Sequence, residues 1–187
     1  MSGLNQYIFN LFFQFARRNF ILDDVGIFLA QYLSYFLVLG FLIYALKQKE
    51  WRLRFLIIAE GILVVILSRG IITEVFRFFY RCVRPFDALG FTPLISESGY
   101  SFPSGHAAFF FALAMVAVYY SRKLGWWYFA FAILNGLARV FAGVHWPLDI
   151  LGGAAVGILS GILVHALVGP SLGKIYATPA PRETAAN

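Results

Sequence analysis

The stretch PSGHAAFFFALAMVAVYY, residues 103–120, joins four turn and helix-start residues to an uninterrupted apolar run. His106 stands at the boundary between the two parts. Ser104 is a residue type that caps helices, and Gly105 lets another group approach the backbone closely. The free N–H groups and the positive dipole of such a helix start attract anions. The stretch therefore predicts a membrane helix that begins beside an anion site, although an ordinary capped helix with an interfacial histidine would show the same residues.

The composition indicates that lipid, rather than water, surrounds most of the chain. Hydrophobic residues make up 60% of the 187 residues and charged residues only 13%, whereas soluble domains have about 45–50% and about 25%. The formal net charge is +6. Its basic residues lie between apolar runs, where membrane topology or anion binding explains them better than nucleic-acid binding. The chain has a single cysteine, Cys82, which excludes an intramolecular disulfide, and it shows no secretory cleavage pattern.

The apolar runs predict an all-α membrane bundle with one membrane-embedded domain over residues 1–169. Residues 4–18 place apolar and polar side chains on opposite helix faces, which predicts an amphipathic helix in the membrane interface; a polar-faced spanning helix is the alternative. Residues 86–103 are predicted to form a loop and residues 170–187 a short disordered tail. The predicted spans are residues 26–46, 55–73, 106–120, 126–144 and 147–168.

The distribution of basic residues predicts the orientation of the five spans. The 47–54 loop, the 122–125 loop and the C-terminal tail share one side of the membrane. Positive residues in short loops favour the cytoplasmic side, so this side is predicted to be cytoplasmic and the ends of the spans described next to face outward. The basic residues on the cytoplasmic side are Lys47, Lys49, Arg52, Arg54, Arg122, Lys123, Lys174 and Arg182.

Three arginines lie at the outer ends of the spans, on the same predicted face as His106. Arg77 and Arg84 follow the second span, and Arg139 lies near the end of the fourth. Guanidinium groups suit the oxygens of a phosphoryl group in transfer, although an arginine at an interface can simply extend to water. The sequence therefore predicts a phosphate site at this face.

His145 and Asp149 add a possible reactive pair at the same face. They are four residues apart, and Pro147 between them suits the first turn of a helix, so both side chains lie on one helix face. A carboxylate bonded to one imidazole nitrogen leaves the other nitrogen as a base or nucleophile. A zinc pair is an alternative, but no third ligand stands nearby in the sequence and His165 lies about five turns deeper.

Three further charged residues lie in or after the second span. Glu60 and Arg69 are costly to expose to lipid and are predicted to face the bundle interior, in a functional or a structural role. Glu74 lies one turn before Arg77 and can hold its guanidinium group.

The spacing Arg77-x6-Arg84-Pro85, Pro103-Ser104-Gly105-His106 and Arg139-x5-His145-x3-Asp149 resembles the three-part signature of the type 2 phosphatidic acid phosphatase superfamily. The family pattern has Lys at the position of Arg77 and Ser at the position of Ala138. The first difference keeps the positive charge, and the second removes a hydroxyl from the phosphate contacts.

The resemblance implies a metal-independent lipid phosphatase without a cofactor. It implies that His145 is the nucleophile that forms a phosphohistidine, that Asp149 orients it, and that His106 protonates the leaving oxygen and later activates water. The phosphate ligands that it implies are Arg77, Arg84, Ser104, Gly105 and Arg139.

Within that superfamily, the short chain, the early interfacial helix and the outward site resemble the bacitracin-resistance type of undecaprenyl-diphosphatase. This implies a bacterial plasma-membrane enzyme that hydrolyses undecaprenyl diphosphate to the monophosphate. A phosphatidylglycerophosphate or phosphatidate phosphatase, or a lipid phosphotransferase, is the alternative among enzymes. A non-catalytic lipid carrier of the same fold is a further alternative, which the intact set of His106, His145 and Asp149 disfavours.

Overall fold

The structure, a computed structural model, describes residues 3–176 of the chain, with side-chain surroundings as far as residue 169. All regular secondary structure in that range is helical, which confirms the predicted all-α membrane bundle. Two of the helices contain π-helical turns, at Phe28–Tyr32 and Ile66–Ile72. The helices are α1 Gly3–Phe13, α2 Phe20–Leu46, α3 Trp51–Phe79, α4 Pro85–Leu89, α5 Gly105–Tyr120, α6 Arg122–Phe141 and α7 Pro147–Tyr176.

Four helices in this range are long and apolar enough to cross a membrane, namely α2, α3, α6 and the Pro147–Gly169 part of α7. The remaining predicted span, residues 106–120, corresponds to α5, which is apolar but has only 16 residues. At 1.5 Å per residue it is about 24 Å long, somewhat less than the thickness of a hydrocarbon core. Most of its residues are buried against other helices, so protein rather than lipid surrounds this central helix.

Capping residues explain where the helix boundaries differ from the predicted ones. Helix α2 begins at Phe20 rather than residue 26, because the side chain of Asn19 accepts a hydrogen bond from the N–H of Ile21 at 2.9 Å. Helix α6 begins at residue 122 rather than 126, because Ser121 caps it. Helix α3 also runs past residue 73 to Phe79.

The predicted loop and tail differ in part from the structure. The 86–103 segment begins within a short helix, α4, before it becomes irregular. Helix α7 continues past residue 168 to Tyr176, so residues 170–176 of the predicted tail have helical backbone, and residues 177–187 lie outside the described part of the chain.

Helix α1 packs along the ends of α6 and α7. Its 11 residues span about 16 Å, too short to cross a bilayer, and it ends at Phe13 rather than at the predicted residue 18. Phe9 is fully buried, whereas Tyr7 and Leu11 face away from the bundle. Asn5 is also buried, and its Oδ1 accepts a hydrogen bond from the N–H of Leu148 at 3.1 Å. The helix thus presents an apolar face outward, as an interfacial helix does, and uses a polar residue to cap α7.

Small residues allow α5 and α7 to pack backbone against backbone. A Cβ atom added at Gly157 of α7 would lie 2.5 Å from the carbonyl oxygen of Ala108 and 2.8 Å from the nitrogen of Ala112. Gly153 and Gly161 make similarly close approaches to α5. Small side chains at such spacing are what membrane helices use to pack tightly. This contact sets the distance between the first turns of the two helices.

We therefore expect Gly157→Ala to destabilise the protein by about 1–3 kcal/mol, because the added methyl overlaps backbone atoms that cannot rotate away. The melting temperature in detergent measures the loss. Gly70→Ala is the matched control, since no described heavy atom outside its own helix turn lies within 4 Å of the added methyl. An equal effect of the two substitutions would contradict this account of the contact.

Candidate active site

The first turns of α5 and α7 are joined directly. Ser104 caps α5 by accepting a hydrogen bond from the N–H of Ala107 at 3.4 Å, as the sequence predicted. The N–H of Ser104 donates to the carbonyl oxygen of Asp149 at 2.9 Å. Two helix N-termini therefore point into one region, and both carry positive partial charge.

A tight turn brings His145 to the start of α7. Helix α6 ends at Phe141, and Gly143 just beyond it has a φ of 83°, a left-handed conformation that glycine adopts without strain. The N–H of Val144 then donates to the carbonyl oxygen of Arg139 at 3.2 Å. This turn places Arg139, the last basic residue of α6, close to His145 in space as well as in sequence.

His145 and Asp149 form the predicted pair. His145 Nδ1 lies 3.3 Å from Asp149 Oδ2, and both side chains are at most 2% exposed. The same carboxylate oxygen accepts the N–H of Trp146 at 2.7 Å and the hydroxyl of Ser101. Because Asp149 is fixed by these donors, it holds His145 with Nδ1 toward the carboxylate, and Nε2 stays outside that contact.

Two buried arginines converge on one carboxylate, that of Glu97. Arg84 and Arg139 are 2% and 1% exposed. Arg139 forms an ion pair with Glu97 Oε1, and Arg84 Nη2 lies 3.4 Å from Glu97 Oε2. Burial raises the pKa of Glu97, but the charge and hydrogen bond of Arg139 and the charge of Arg84 outweigh it and lower that pKa. Glu97 is thus an anion between the two guanidinium groups.

Backbone carbonyl groups hold the two arginines in place. Arg84 Nε donates to Gly99 at 2.9 Å, and its Nη1 donates to Val144 at 2.8 Å, immediately before His145. Arg139 Nη1 donates to Ala30 of α2 at 3.2 Å. The Nε of Arg139 is buried without a hydrogen-bond partner among the described residues, so one donor of this pair of arginines is unused.

Arg77 lies at the end of α3, beside the start of α5. Its Nη2 donates to the carbonyl oxygen of Pro103 at 3.2 Å, and its Nη1 lies 3.2 Å from Glu74, the partner that the sequence predicted. The Nε of Arg77 is also buried without a partner in the described chain.

Charged residues from all three parts of the signature contribute to the electrostatic environment of His145. Burial lowers the pKa of His145 well below 6.5, and the positive charges of its neighbours lower it further. His145 is therefore neutral at physiological pH, with a lone pair on Nε2. The neighbours responsible are Arg139, Arg84, His106 and Arg77.

Sequence reasoning missed Glu97 and Ser101. Both lie in the irregular 90–104 segment, where no helical or strand period marks a side chain as buried. One signal for Glu97 was available: it is the only acidic residue between Asp87 and Asp149. Ser101 gave no signal, because a serine among Ser, Gly and Pro residues is ordinary loop composition.

Of two other charged residues that the sequence singled out, Glu60 lies apart from this cluster and Arg69 lies beside it. Glu60 is fully buried, as predicted, and its Oε2 lies 3.1 Å from His165 Nδ1 near the other end of the bundle. His165 is therefore the partner of Glu60 rather than a third ligand beside His145. Arg69 is 40% exposed, more than predicted, and forms an ion pair with Glu74.

These features define a class: a multi-pass membrane protein with buried arginines and a histidine–aspartate pair at one end of its helical bundle. The sequence profile of the PAP2 superfamily matches residues 59–171, which include every predicted site residue. The chain belongs to this superfamily of phosphatases. The resemblance seen in the sequence is confirmed.

Two curated relatives are similar to the chain over most of its length. The bacitracin transport permease protein BcrC of Bacillus licheniformis is 32% identical over 165 residues, which are 87% of this chain and 80% of the relative. The undecaprenyl-diphosphatase BcrC of Bacillus subtilis (strain 168) is 29% identical over 163 residues, which are 86% and 82%. The crystal structure of Aquifex aeolicus LpxE superposes with a TM-score of 0.71 at 28% identity, covering 88% of this chain and 96% of that chain.

The lowered pKa of His145 generates a pH prediction. If neutral His145 attacks phosphorus, kcat/KM falls only when acid protonates it, so the acid limb of the pH profile lies below pH 6.5. A basic limb, and with it a bell-shaped curve, requires that the charge of the bound phosphate keep His106 protonated in the substrate complex. Rates on a substrate of fixed ionisation across pH 4–9 measure both limbs, and an acid limb at or above pH 6.5 would exclude this protonation state.

The contact of Glu97 with two arginines generates a stability prediction. Glu97→Gln leaves Arg139 buried without a negative partner, which costs about 3–5 kcal/mol. Orthovanadate, a phosphate analogue, supplies the missing anion and no longer competes with the carboxylate. It should therefore raise the melting temperature of the variant more than that of the wild type. Glu50→Gln, at an exposed helix start, is the matched control, and a larger vanadate shift in the wild type would contradict the prediction.

Proposed function

We propose that the protein hydrolyses a polyprenyl diphosphate, undecaprenyl diphosphate above all, to the corresponding monophosphate. The observation that carries the proposal is the convergence of buried Arg84 and Arg139 on one anion beside the His145–Asp149 pair. The similarity to the undecaprenyl-diphosphatase BcrC over most of both chains supports the choice of lipid.

The first chemical step transfers the terminal phosphoryl group to His145. Nε2 attacks phosphorus and forms the P–N bond while the bond from phosphorus to the bridging oxygen breaks. His106 gives its proton to that oxygen, and the prenyl monophosphate leaves. Asp149 keeps Nδ1 protonated and stabilises the positive charge that develops on the ring of His145.

The second step returns the enzyme to its starting state. His106, now neutral, takes a proton from water as the water oxygen attacks phosphorus. The P–N bond breaks, its electron pair returns to Nε2, and inorganic phosphate leaves. The equatorial phosphoryl oxygens carry the charge in both steps, and the groups proposed to hold them are Arg77, Arg84, Arg139, Gly105 and the capped start of α5 at Ser104.

Fixed positive groups of the protein are proposed to stabilise the phosphoryl charge, as divalent ions do in other phosphoryl-transfer enzymes. Three guanidinium groups and two helix N-termini surround the site, and two of the guanidinium Nε atoms are buried donors without a partner in the described chain. We therefore propose a reaction that is independent of metal ions.

The site is proposed to face the cell exterior or periplasm from a bacterial plasma membrane. The loops at the other end of the bundle contain the basic residues that favour the cytoplasmic side. The site then meets lipid headgroups at the outer leaflet while the prenyl chain stays in the bilayer.

The decisive experiment is phosphate release from undecaprenyl diphosphate by the purified protein in detergent with EDTA. Wild type should be active with chelator, and kcat/KM should exceed that for phosphatidate or phosphatidylglycerophosphate at least tenfold, which corresponds to about 1.4 kcal/mol. Equal or reversed preference would make it a phospholipid phosphatase. Activity that needs added magnesium or zinc would exclude the metal-independent reaction.

The same preparation tests the nucleophile. His145→Ala should abolish both turnover and the alkali-stable, acid-labile label that a phosphorylated lipid leaves on the protein. His106→Ala should slow both half-reactions, and a better leaving group should partly restore the first one, because that group needs no proton. If His145→Ala still acquires label, another residue is the nucleophile.

A further inference from the structure

A cavity of about 210 Å³ opens beside His106, outside the His145–Asp149 pair. It lies between α2, the π-helical turn of α3 and the first turns of α5. We call it the head cavity. Its polar side chains come from three different helices, so it forms only in the folded bundle. Its lining includes Ser34, Tyr35, Arg69, Gly105, His106 and Phe110.

The guanidinium group of Arg69 lies directly over the start of α5. A Cβ atom added at Gly105 would be 2.9 Å from Arg69 Cζ, so the absence of a side chain at residue 105 is what admits this arginine. Arg69 belongs to the Ile66–Ile72 π-helical segment, a distortion that recurs at functional sites. Glu74 binds both Arg69 and Arg77. Arg69 is therefore positioned next to the phosphate site but has no part in the three-part signature.

Ser34 offers a second polar group in the head cavity. Its Oγ is buried and has no hydrogen-bond partner in the described chain. A buried hydroxyl without a partner is unfavourable. Together with the partly exposed Arg69, it provides donors for an anion on the side of His106 that faces α2.

The head cavity continues into an apolar groove. The groove has a volume of about 250 Å³, and Val38 and Phe109 line both spaces. It runs between α2, α3 and α5, away from the site and along the bundle. Its other lining residues are all apolar or glycine and include Phe41, Ile58, Ile62 and Val65. A molecule with an anionic head and a long hydrocarbon chain matches this order of polar and apolar surfaces.

The in-line geometry of phosphoryl transfer indicates which part of the substrate occupies the head cavity and the apolar groove. Nucleophile and leaving oxygen lie on opposite sides of phosphorus in phosphoryl transfer. His145 attacks from the Asp149 side, so the leaving oxygen and everything attached to it lie on the side of His106, which lines the head cavity. The larger cavity of about 640 Å³ beside Phe102 borders Asp149 instead, behind the nucleophile.

We infer that the head cavity and the apolar groove bind the leaving group, a prenyl monophosphate, with Arg69 and Ser34 on the phosphate that stays attached to the lipid. The inference rests on the proposed function. It makes Arg69 a specificity-determining residue: a diphosphate uses it, whereas a phosphomonoester has no second phosphate to place there.

Arg69→Met tests the polar part, because it keeps the length of the side chain and removes its charge. With farnesyl diphosphate, kcat/KM should fall about tenfold or more, the scale of a hydrogen bond to a charged group. With farnesyl monophosphate, kcat/KM should change less than threefold. Arg69→Lys should retain part of the preference. Arg81→Met, at an exposed arginine near the same end of α3, is the matched control and should leave both rates unchanged.

Ile62→Trp tests the apolar part by filling the groove. It should raise KM for undecaprenyl diphosphate several-fold more than KM for the short farnesyl diphosphate. Leu63→Trp, at the next residue of α3, does not line the groove and is the matched control. This test also decides the inference if Arg69→Met fails to fold, as judged from its melting temperature.

The outcomes separate the inference from the proposed function. If the wild-type protein is inactive on prenyl diphosphates and active on phospholipids, the proposed function is wrong. If the wild type prefers diphosphates but Arg69→Met weakens the hydrolysis of monophosphates and diphosphates equally, or weakens neither, the inference alone is overturned. The inference is also overturned if Ile62→Trp and Leu63→Trp affect both chain lengths alike.

Discussion

The structure depends on the neutralisation of buried positive charge at one end of a membrane bundle. Removing a guanidinium ion from water costs several kcal/mol unless an anion and hydrogen-bond acceptors replace the water. Arg139 and Arg84 are almost fully buried, and Glu97 is the anion that they share. The 90–104 segment can therefore fold in only a few ways, because it must supply both that carboxylate and the carbonyl groups that bind Arg84. Ser101, which fixes Asp149, belongs to the same segment.

The deeper part of the bundle sets the geometry of the site through small residues. His106 and Asp149 lie on α5 and α7, and their separation depends on how closely those helices approach. Gly153 and Gly157 contact the backbone of α5 without side chains between them. Dispersion and close packing stabilise such contacts in lipid, where the hydrophobic effect between helices is weak. A residue far from the chemistry can thus change the distance between reacting groups, since helices move as rigid bodies.

Much of the fold and of the site could be predicted because their signals are local. Long apolar runs predict spans, and Ser104, Pro147 and the four-residue spacing of His145 and Asp149 depend on helix starts alone. Glu97 and Ser101 could not be predicted from local pattern, because loop residues have no periodicity and their partners are distant in sequence. The observed helix starts also differ from the predicted ones, because Asn19 and Ser121 cap helices that begin before their apolar runs.

The same electrostatic constraint connects the structure to the proposed reaction. If the transferred phosphoryl group contacts Arg84 and Arg139, its oxygens take the place of the Glu97 carboxylate, and the arginines have an anion before and after the exchange. Binding would therefore not leave the two buried arginines without an anion at any stage. When inorganic phosphate left, the carboxylate would return to the same arginines and compete with rebinding of the product. The acidic residue that stabilises the folded bundle would then also favour product release, which is why one side chain outside the family signature bears on both stability and turnover.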